Sequence, residues 1–299
     1  MVATKRFSFL SDAMIIGRAI RMARSAPGDQ ARNLYELFPD SVLMTERTHF
    51  HNQGYWLRPE DTLDDAGENL ALLVAEQAGF REGDRVLDAG FGYGDQDFLW
   101  LRRYGLAGVT GLNVTPRHVR FAQERARAEG LTGKLDFRQG SATEMDVTPG
   151  SFDRVVAVES AFHFITRDKF FQQAYQALRP GGVLVTADVI PLNAAEAARE
   201  RKSGLFSFAY PDENRYDGEE YLARLKGTGF TSVRLVSIRD HVFDRWIEYT
   251  ARKMDDPAFQ AGISRLSYRL LHSTMTDTER MHRDVAGLDY VIAVAEKPA

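Results

Sequence analysis

The stretch Val86-Leu87-Asp88-Ala89-Gly90-Phe91-Gly92-Tyr93-Gly94 decides the fold. A short apolar run ends in an acidic residue and then in three glycines at alternate positions. That is the pattern of a buried parallel strand turning into a tight loop that a ligand approaches. Downstream, Asp95 to Arg103 is polar at its start, apolar in its middle and basic at its end, the charge order a helix macrodipole favours. Strand, glycine loop and helix predict the opening of a nucleotide-binding α/β unit.

The identity of the nucleotide follows from what the loop lacks. A dinucleotide fingerprint needs its third glycine where Asp95 stands, and Asp88, Asp95 and Asp97 would bring three carboxylates towards a pyrophosphate at this helix N-terminus. No Lys-Ser or Lys-Thr closes the turn, which removes the P-loop. A ligand with a cationic, phosphate-free head fits better. S-adenosylmethionine, with its sulfonium and ammonium, is such a ligand.

Asp88-Ala89-Gly90-Phe91-Gly92-Tyr93-Gly94 resembles the first motif of class I S-adenosylmethionine-dependent methyltransferases. Gly54-Tyr55-Trp56, Glu159-Ser160-Ala161-Phe162-His163, Pro180-Gly181-Gly182, Asp188-Val189-Ile190-Pro191 and Asp289-Tyr290-Val291-Ile292-Ala293 extend the likeness to the small-molecule O-methyltransferases of antibiotic biosynthesis, the macrolide-sugar type above all. The resemblance implies a Rossmann-like α/β fold: a seven-stranded, mostly parallel sheet with helices on both faces and a helical cap. It also implies an organisation of 1–61 as an N-terminal helical lid, 62–190 as the cofactor-binding core, and 191–299 as the rest of the sheet with cap insertions at 191–217 and 244–285.

Composition is that of an ordinary globular chain: 299 residues, 44% hydrophobic and 27% charged, with a net charge of -4. Such a balance gives no field for gathering nucleic acid. The absence of cysteine removes disulfides and thiolate chemistry and suits a reducing cytoplasm. No stretch approaches the roughly 20 apolar residues of a membrane span. The segment Met1 to Pro27 carries Lys5, Arg6, Arg18, Arg21 and Arg24 against Asp12. Arg18 and Arg21 interrupt its only apolar run, so a lid helix is expected there rather than a secretory signal.

Site residues follow in chain order. His49 and His51 alternate, but no third ligand follows them, so no metal site is expected. The resemblance lays Tyr55 and Trp56 against the cofactor, where core packing is the alternative. It seats the cofactor on Gly90, Gly92 and Gly94, with Asp88 and Gln96 at its methionine end, Asn113 and Val114 at the ribose, and Ser141 and Ala142 at the adenine. Family members usually carry an acidic residue where Asn113 stands. Thr115-Pro116 should cap the next helix, with proline at its favoured first position.

Phe152 to Glu159 reads as the fourth strand, and its carboxyl end delivers Glu159, Ser160 and His163 to where open α/β sheets bind ligands. An imidazole, with an ordinary pKa near ~6.5, can take a hydroxyl proton, and the resemblance puts a base there too. Glu159 is a second base and a cofactor contact, while Asp188, ending strand five, is expected to orient the imidazole or to cap a loop. The sixth strand is read as Ser232 to Val242, followed by two helices from Trp246 to His272 around Pro257. The expected reaction moves a methyl group from S-adenosylmethionine to a hydroxyl of a bulky small molecule, in a chain compatible with a homodimer.

Two other functions fit the scaffold. A C-methyltransferase for an isoprenyl diphosphate would use Arg199, Arg201 and Lys202 near Phe206 and Phe208. A cyclase or binding protein would keep the cofactor only as a structural part. All three share the first test: S-adenosylmethionine or S-adenosylhomocysteine should raise the melting temperature by mass action and NADH should not, as differential scanning fluorimetry would read.

Overall fold

A computed structural model describes residues 17, 33, 44–199 and 210–299. The basic segment from Met1 to Pro27 and the residues Arg201, Lys202, Phe206 and Phe208 lie outside the described residues, Gly17 excepted. The strands are β1 (Arg85–Ala89), β2 (Gly108–Asn113), β3 (Leu135–Gln139), β4 (Phe152–Val158), β5 (Leu178–Pro191), β6 (Thr231–Ser237) and β7 (Leu288–Glu296). They form one sheet in the order β3-β2-β1-β4-β5-β7-β6. Pairing is parallel from β3 through β5, and β7 runs antiparallel to both β5 and β6. The expected seven-stranded, mostly parallel architecture is present.

Alternate residues of the buried strands feed two cores. Val86, Val109, Val156, Val158 and Val185 pack on one face, with Leu70 and Val74 of α1 (Leu63–Ala78) and Phe98 and Trp100 of α2 (Asp95–Tyr104). Leu87, Ala89, Val155 and Ala157 pack on the other, with Phe170 and Ala174 of the helix that follows β4. Both faces are covered, which is why these strands read as continuous apolar runs. Helix α1 starts on a reciprocal capping box between Thr62 and Asp65 and stops at left-handed Gly79. The Trp100 indole then donates to the Ala71 carbonyl at 2.8 Å, tying α2 to α1 beneath the glycine loop.

Helix α3 (Pro116–Ala128) begins at the expected proline, but the Thr115 hydroxyl makes no capping bond. Asn113 does the local work instead, its Oδ1 accepting the Thr115 N–H at 2.9 Å. After β4 come α4 (Arg167–Ala177), the short α5 (Ala194–Ala198) and α6 (Gly218–Thr228).

The region between β6 and β7 departs from expectation. Strand β6 ends at Ser237, because a 3-10 turn over Arg239–His241 breaks the alternation that had suggested strand to Val242. Where two helices were expected there are four: α7 (Phe243–Lys253), α8 (Pro257–Gly262), α9 (Arg265–Met275) and α10 (Thr278–Val285). Each of the last three starts on its own side-chain cap, from Asp256, Ser264 and Asp277. These short polar signals divide one long amphipathic pattern into separate helices.

Candidate active site

Strand order reverses between β1 and β4, whose neighbours lie on opposite sides, so a crevice opens beyond their carboxyl ends. A cavity of about 330 Å3 occupies that position. The glycine loop supplies Gly90, Phe91, Gly92 and Gln96; β2 and the turn after it supply Leu112, Asn113, Val114 and Thr115. Gly140, Ser141, Ala142 and Thr143 close a third side, and Glu159, Ser160 and His163 come from the end of β4.

Gly90 has φ of +91°, and a Cβ there would lie 2.4 Å from the Ser160 Cβ. Only glycine fits. Gly94, also left-handed, caps α2 against the Phe137 ring and does not line the cavity. Asn113 lends its amide to the loop: besides the Thr115 bond, its Nδ2 donates to the Gly92 carbonyl at 3.3 Å. The Ser141 Oγ lies 2.9 Å from the Thr143 hydroxyl and accepts the Thr143 N–H, which shapes the turn over Ser141–Glu144.

Asp88 needs a correction. It is fully buried beneath the loop and does not line the cavity. Gln96 stands between, donating its Nε2 to Asp88 Oδ2 at 3.0 Å and to the Phe91 carbonyl at 3.1 Å. Asp97 is equally buried, and neither of its oxygens meets a donor. Burial pushes both carboxyls up, Asp97 further because Asp88 and Asp95 lie close by. Neighbouring buried carboxyls disfavour a second charge, which favours the protonated form of Asp97.

Tyr55 and Trp56 are corrected as well. The Trp56 indole donates to the Gln53 carbonyl and packs on Tyr249, while Tyr55 stacks on His241, and neither lines the cavity. The lining residues of that segment are His51 and Asn52. His49 points elsewhere, its ring 4.7 Å from Phe121 and its Nδ1 3.9 Å from Asp95. No cluster of three metal-ligating side chains occurs among the described residues. His118 also lines the cavity, and nothing in its helical sequence context signals this. Burial, then the nearby His51 and Arg117, pushes it down to about 3, so it is neutral.

His163 ends a 3-10 turn over Ala161–His163, its ring 4.0 Å from that of Phe162. Glu159 has a left-handed backbone, φ +46°, uncommon for a side-chain-bearing residue and concentrated at functional sites. One oxygen, Oε1, accepts both the Gln53 N–H and the Tyr290 O–H at 2.6 Å. Burial pushes Glu159 up to about 7 in spite of those two bonds.

Asp188 sits in a buried ion pair. Its Oδ2 lies 2.9 Å from Arg167 Nε and accepts the Tyr221 hydroxyl at 3.1 Å, all three side chains being buried. Burial is the largest influence on Arg167 and opposes its charge, but Asp188 together with Tyr210, Tyr216 and Tyr221 holds the guanidinium above its ordinary value. The Asp188 oxygen that meets Arg167 and Tyr221 is thus committed to the interior of the fold.

A methyltransferase-domain model matches residues 86–182, the glycine loop through β4 to the start of β5. Erythromycin 3''-O-methyltransferase of Saccharopolyspora erythraea is 39% identical over 99% of both chains. The 27-O-demethylrifamycin SV methyltransferase of Amycolatopsis mediterranei is 27% identical over 93% of this chain and all of that one. Among solved structures, the cyclopropane synthase MmaA2 of Mycobacterium tuberculosis superposes with a TM-score of 0.73 at 20% identity, over 88% of this chain and 95% of that one. The chain belongs to the class I S-adenosylmethionine-dependent methyltransferases, and within them to the small-molecule O-methyltransferases of antibiotic biosynthesis.

The cavity fits that cofactor: a loop from which side chains are excluded at Gly90, amide and hydroxyl groups at Asn113 and Ser141, and a neutral imidazole at His118, which would not oppose a cationic ligand. The buried acids give a separate test. A carboxyl raised in the folded state contributes stability that is full below about pH 4 and lost as pH rises through its folded value. Asp97→Asn keeps the shape of the protonated acid and removes the shared proton. Its melting temperature, followed by circular dichroism, should fall less between about pH 4 and 7 than that of the wild type.

Proposed function

We propose that the acceptor is a hydroxyl on a macrolide glycoside or a related bulky polyketide, and that His163 removes its proton. The observation that carries this reading is the sharing of one cavity by His163 and Glu159 with the glycine loop, Asn113 and Ser141. The nature of the acceptor is supported by the full-length likeness to an enzyme named for the 3''-oxygen of erythromycin. When bound, the cofactor supplies an electrophilic methyl group on a sulfonium, so the hard chemistry is its own.

The protein's part is positioning and one proton transfer. Gly90 and Gly92 let the backbone approach the cofactor, Gln96 relays the buried acids to its methionine end, and Asn113 and Val114 face the ribose. Ser141 and Ala142 shape the adenine end. His163 accepts the hydroxyl proton on its imidazole, work that usually contributes about 10²–10⁴-fold. Glu159, held through Oε1, keeps its second oxygen for a ligand hydroxyl.

The helices α7 to α10 cap the acceptor side in this reading, which is supported by the contacts of α7 with residues 44–61: Tyr249 packs on Trp56 and its hydroxyl donates to the Met44 carbonyl at 3.4 Å. The diphosphate alternative is disfavoured, since Arg199 is exposed and pairs with Glu196. No helix among the described residues is long and apolar enough to cross a membrane, and the cysteine-free chain suits the cytoplasm, where we place it.

Screening for S-adenosylhomocysteine release tests the function. Release is expected with 3''-O-demethylerythromycin or another macrolide glycoside; release with geranyl diphosphate alone would reject the proposal. For the base, His163→Gln keeps much of the side-chain volume but takes up no proton at neutral pH. Its kcat should fall about 10²-fold or more with cofactor affinity and melting temperature nearly unchanged. The wild-type rate should rise with pH through an apparent pKa of ~6–7.5. Any limb that survives in His163→Gln belongs to Glu159.

A further inference from the structure

The turn that carries His163 is short and follows a strained residue, yet it is gripped on both sides. Ser160 holds its start, the hydroxyl donating to the Ala89 carbonyl at 2.6 Å, one residue before Gly90. The other grip comes from a residue 51 positions away in sequence from His163. Asn214, fully buried, donates Nδ2 to the Phe162 carbonyl at 3.1 Å and to the Phe164 carbonyl at 2.7 Å. These are the carbonyls immediately before and after His163.

Asn214 is itself immobilised. Its Oδ1 accepts the Arg167 N–H at 2.8 Å, and its backbone carbonyl accepts Arg167 Nη1 at 2.8 Å. Arg167 reaches on to the Val189 carbonyl and pairs with Asp188, while Tyr216 and Tyr221 present ring faces to its guanidinium at 4.8 and 5.1 Å. Every polar atom of the carboxamide is therefore committed to holding two backbone segments together. A carboxamide is the group for this, because it offers two donors on one side and an acceptor on the other.

We propose that Asn214 is a positioning residue for His163: its carboxamide clamps the carbonyls on both sides of the base, and Arg167 with Asp188 forms the rigid seat of that clamp. The inference rests on the reading of His163 as the base. Asp188 then acts on the imidazole through Arg167, Asn214 and the backbone. A proton acceptor misplaced by even an ångström costs much of its effect, so loss of the clamp appears in turnover rather than in binding.

The test uses the full chain with 3''-O-demethylerythromycin as acceptor. Asn214→Ser leaves at most one donor for two carbonyls, and Asn214→Asp, when ionised, leaves none. Both should lower kcat about tenfold or more with less than about a twofold change in the dissociation constant of S-adenosylhomocysteine. In the His163→Gln background, Asn214→Ser should cost almost nothing further, because the two changes remove the same contribution. Additive losses, or a kcat that falls only in step with cofactor affinity or melting temperature, would overturn the proposal. If His163→Gln itself stays active, the base reading fails, and the clamp is judged separately by hydrogen exchange of the unaltered protein, which needs neither acceptor nor variant. The amides of His163 and Phe164, which donate to Ser160 and Ala161 at 3.0 and 3.1 Å, should then exchange as slowly as those of β4. Exchange at the rate of an open loop would reject the clamp.

Discussion

The close approach of the ends of β1 and β4 is the constraint on which the site depends. Gly90 must be left-handed and free of a side chain because Ser160 occupies the space where its Cβ would stand. The Ser160 hydroxyl then bonds the carbonyl just before it. One contact thus joins the glycine loop to the turn that carries His163. If these hold the methyl donor and the proton acceptor, as we propose, the two share an anchor where separate elements would drift independently, and orientation of reacting groups is worth more than any single contact with them.

Electrostatics follows from the same burial. Asp88 and Asp97 lie under the loop with too few donors for two negative charges, so the site keeps one proton in reserve. His118 stays neutral at the cavity wall, where a cation would repel a sulfonium. Two buried carboxylates are met by guanidinium groups, Asp188 by Arg167 at 2.9 Å and, at the first residue of α2, Asp95 by Arg125 at 3.1 Å. The region around the cofactor is thereby polar without carrying much net charge, which suits a reaction in which positive charge is consumed at sulfur.

The core of the fold was legible in the sequence because its signals are local. Val86 to Gly94 announces a strand and loop by composition alone, and Pro116 announces a helix start by the position it favours. Gly90, Asn113, Ser141 and His163 line the cavity and follow the ends of strands that periodicity identifies, and Gln96 opens the helix after the first of them. Tyr55, Trp56 and Asp88 do not line it, because the direction of a side chain from a loop or a strand end depends on what packs against it. The division of α7 to α10 escaped notice because one amphipathic period runs through all of them and only single capping residues interrupt it.

Asp188 shows the limit most plainly. A carboxylate at the end of β5, beside a histidine at the end of β4, suggests an orienting partner or a loop cap. What the sequence cannot display is that Arg167, the first residue of α4, buries its guanidinium against that carboxylate. Burying that charge is tolerable only because its partners surround it: two backbone carbonyls, one carboxylate and two tyrosine rings. A guanidinium held by so many partners has little freedom, and what is bonded to it inherits its position. Asn214 is so bonded, and it holds the carbonyls on either side of His163, so the buried ion pair and the cavity wall are parts of one continuous arrangement.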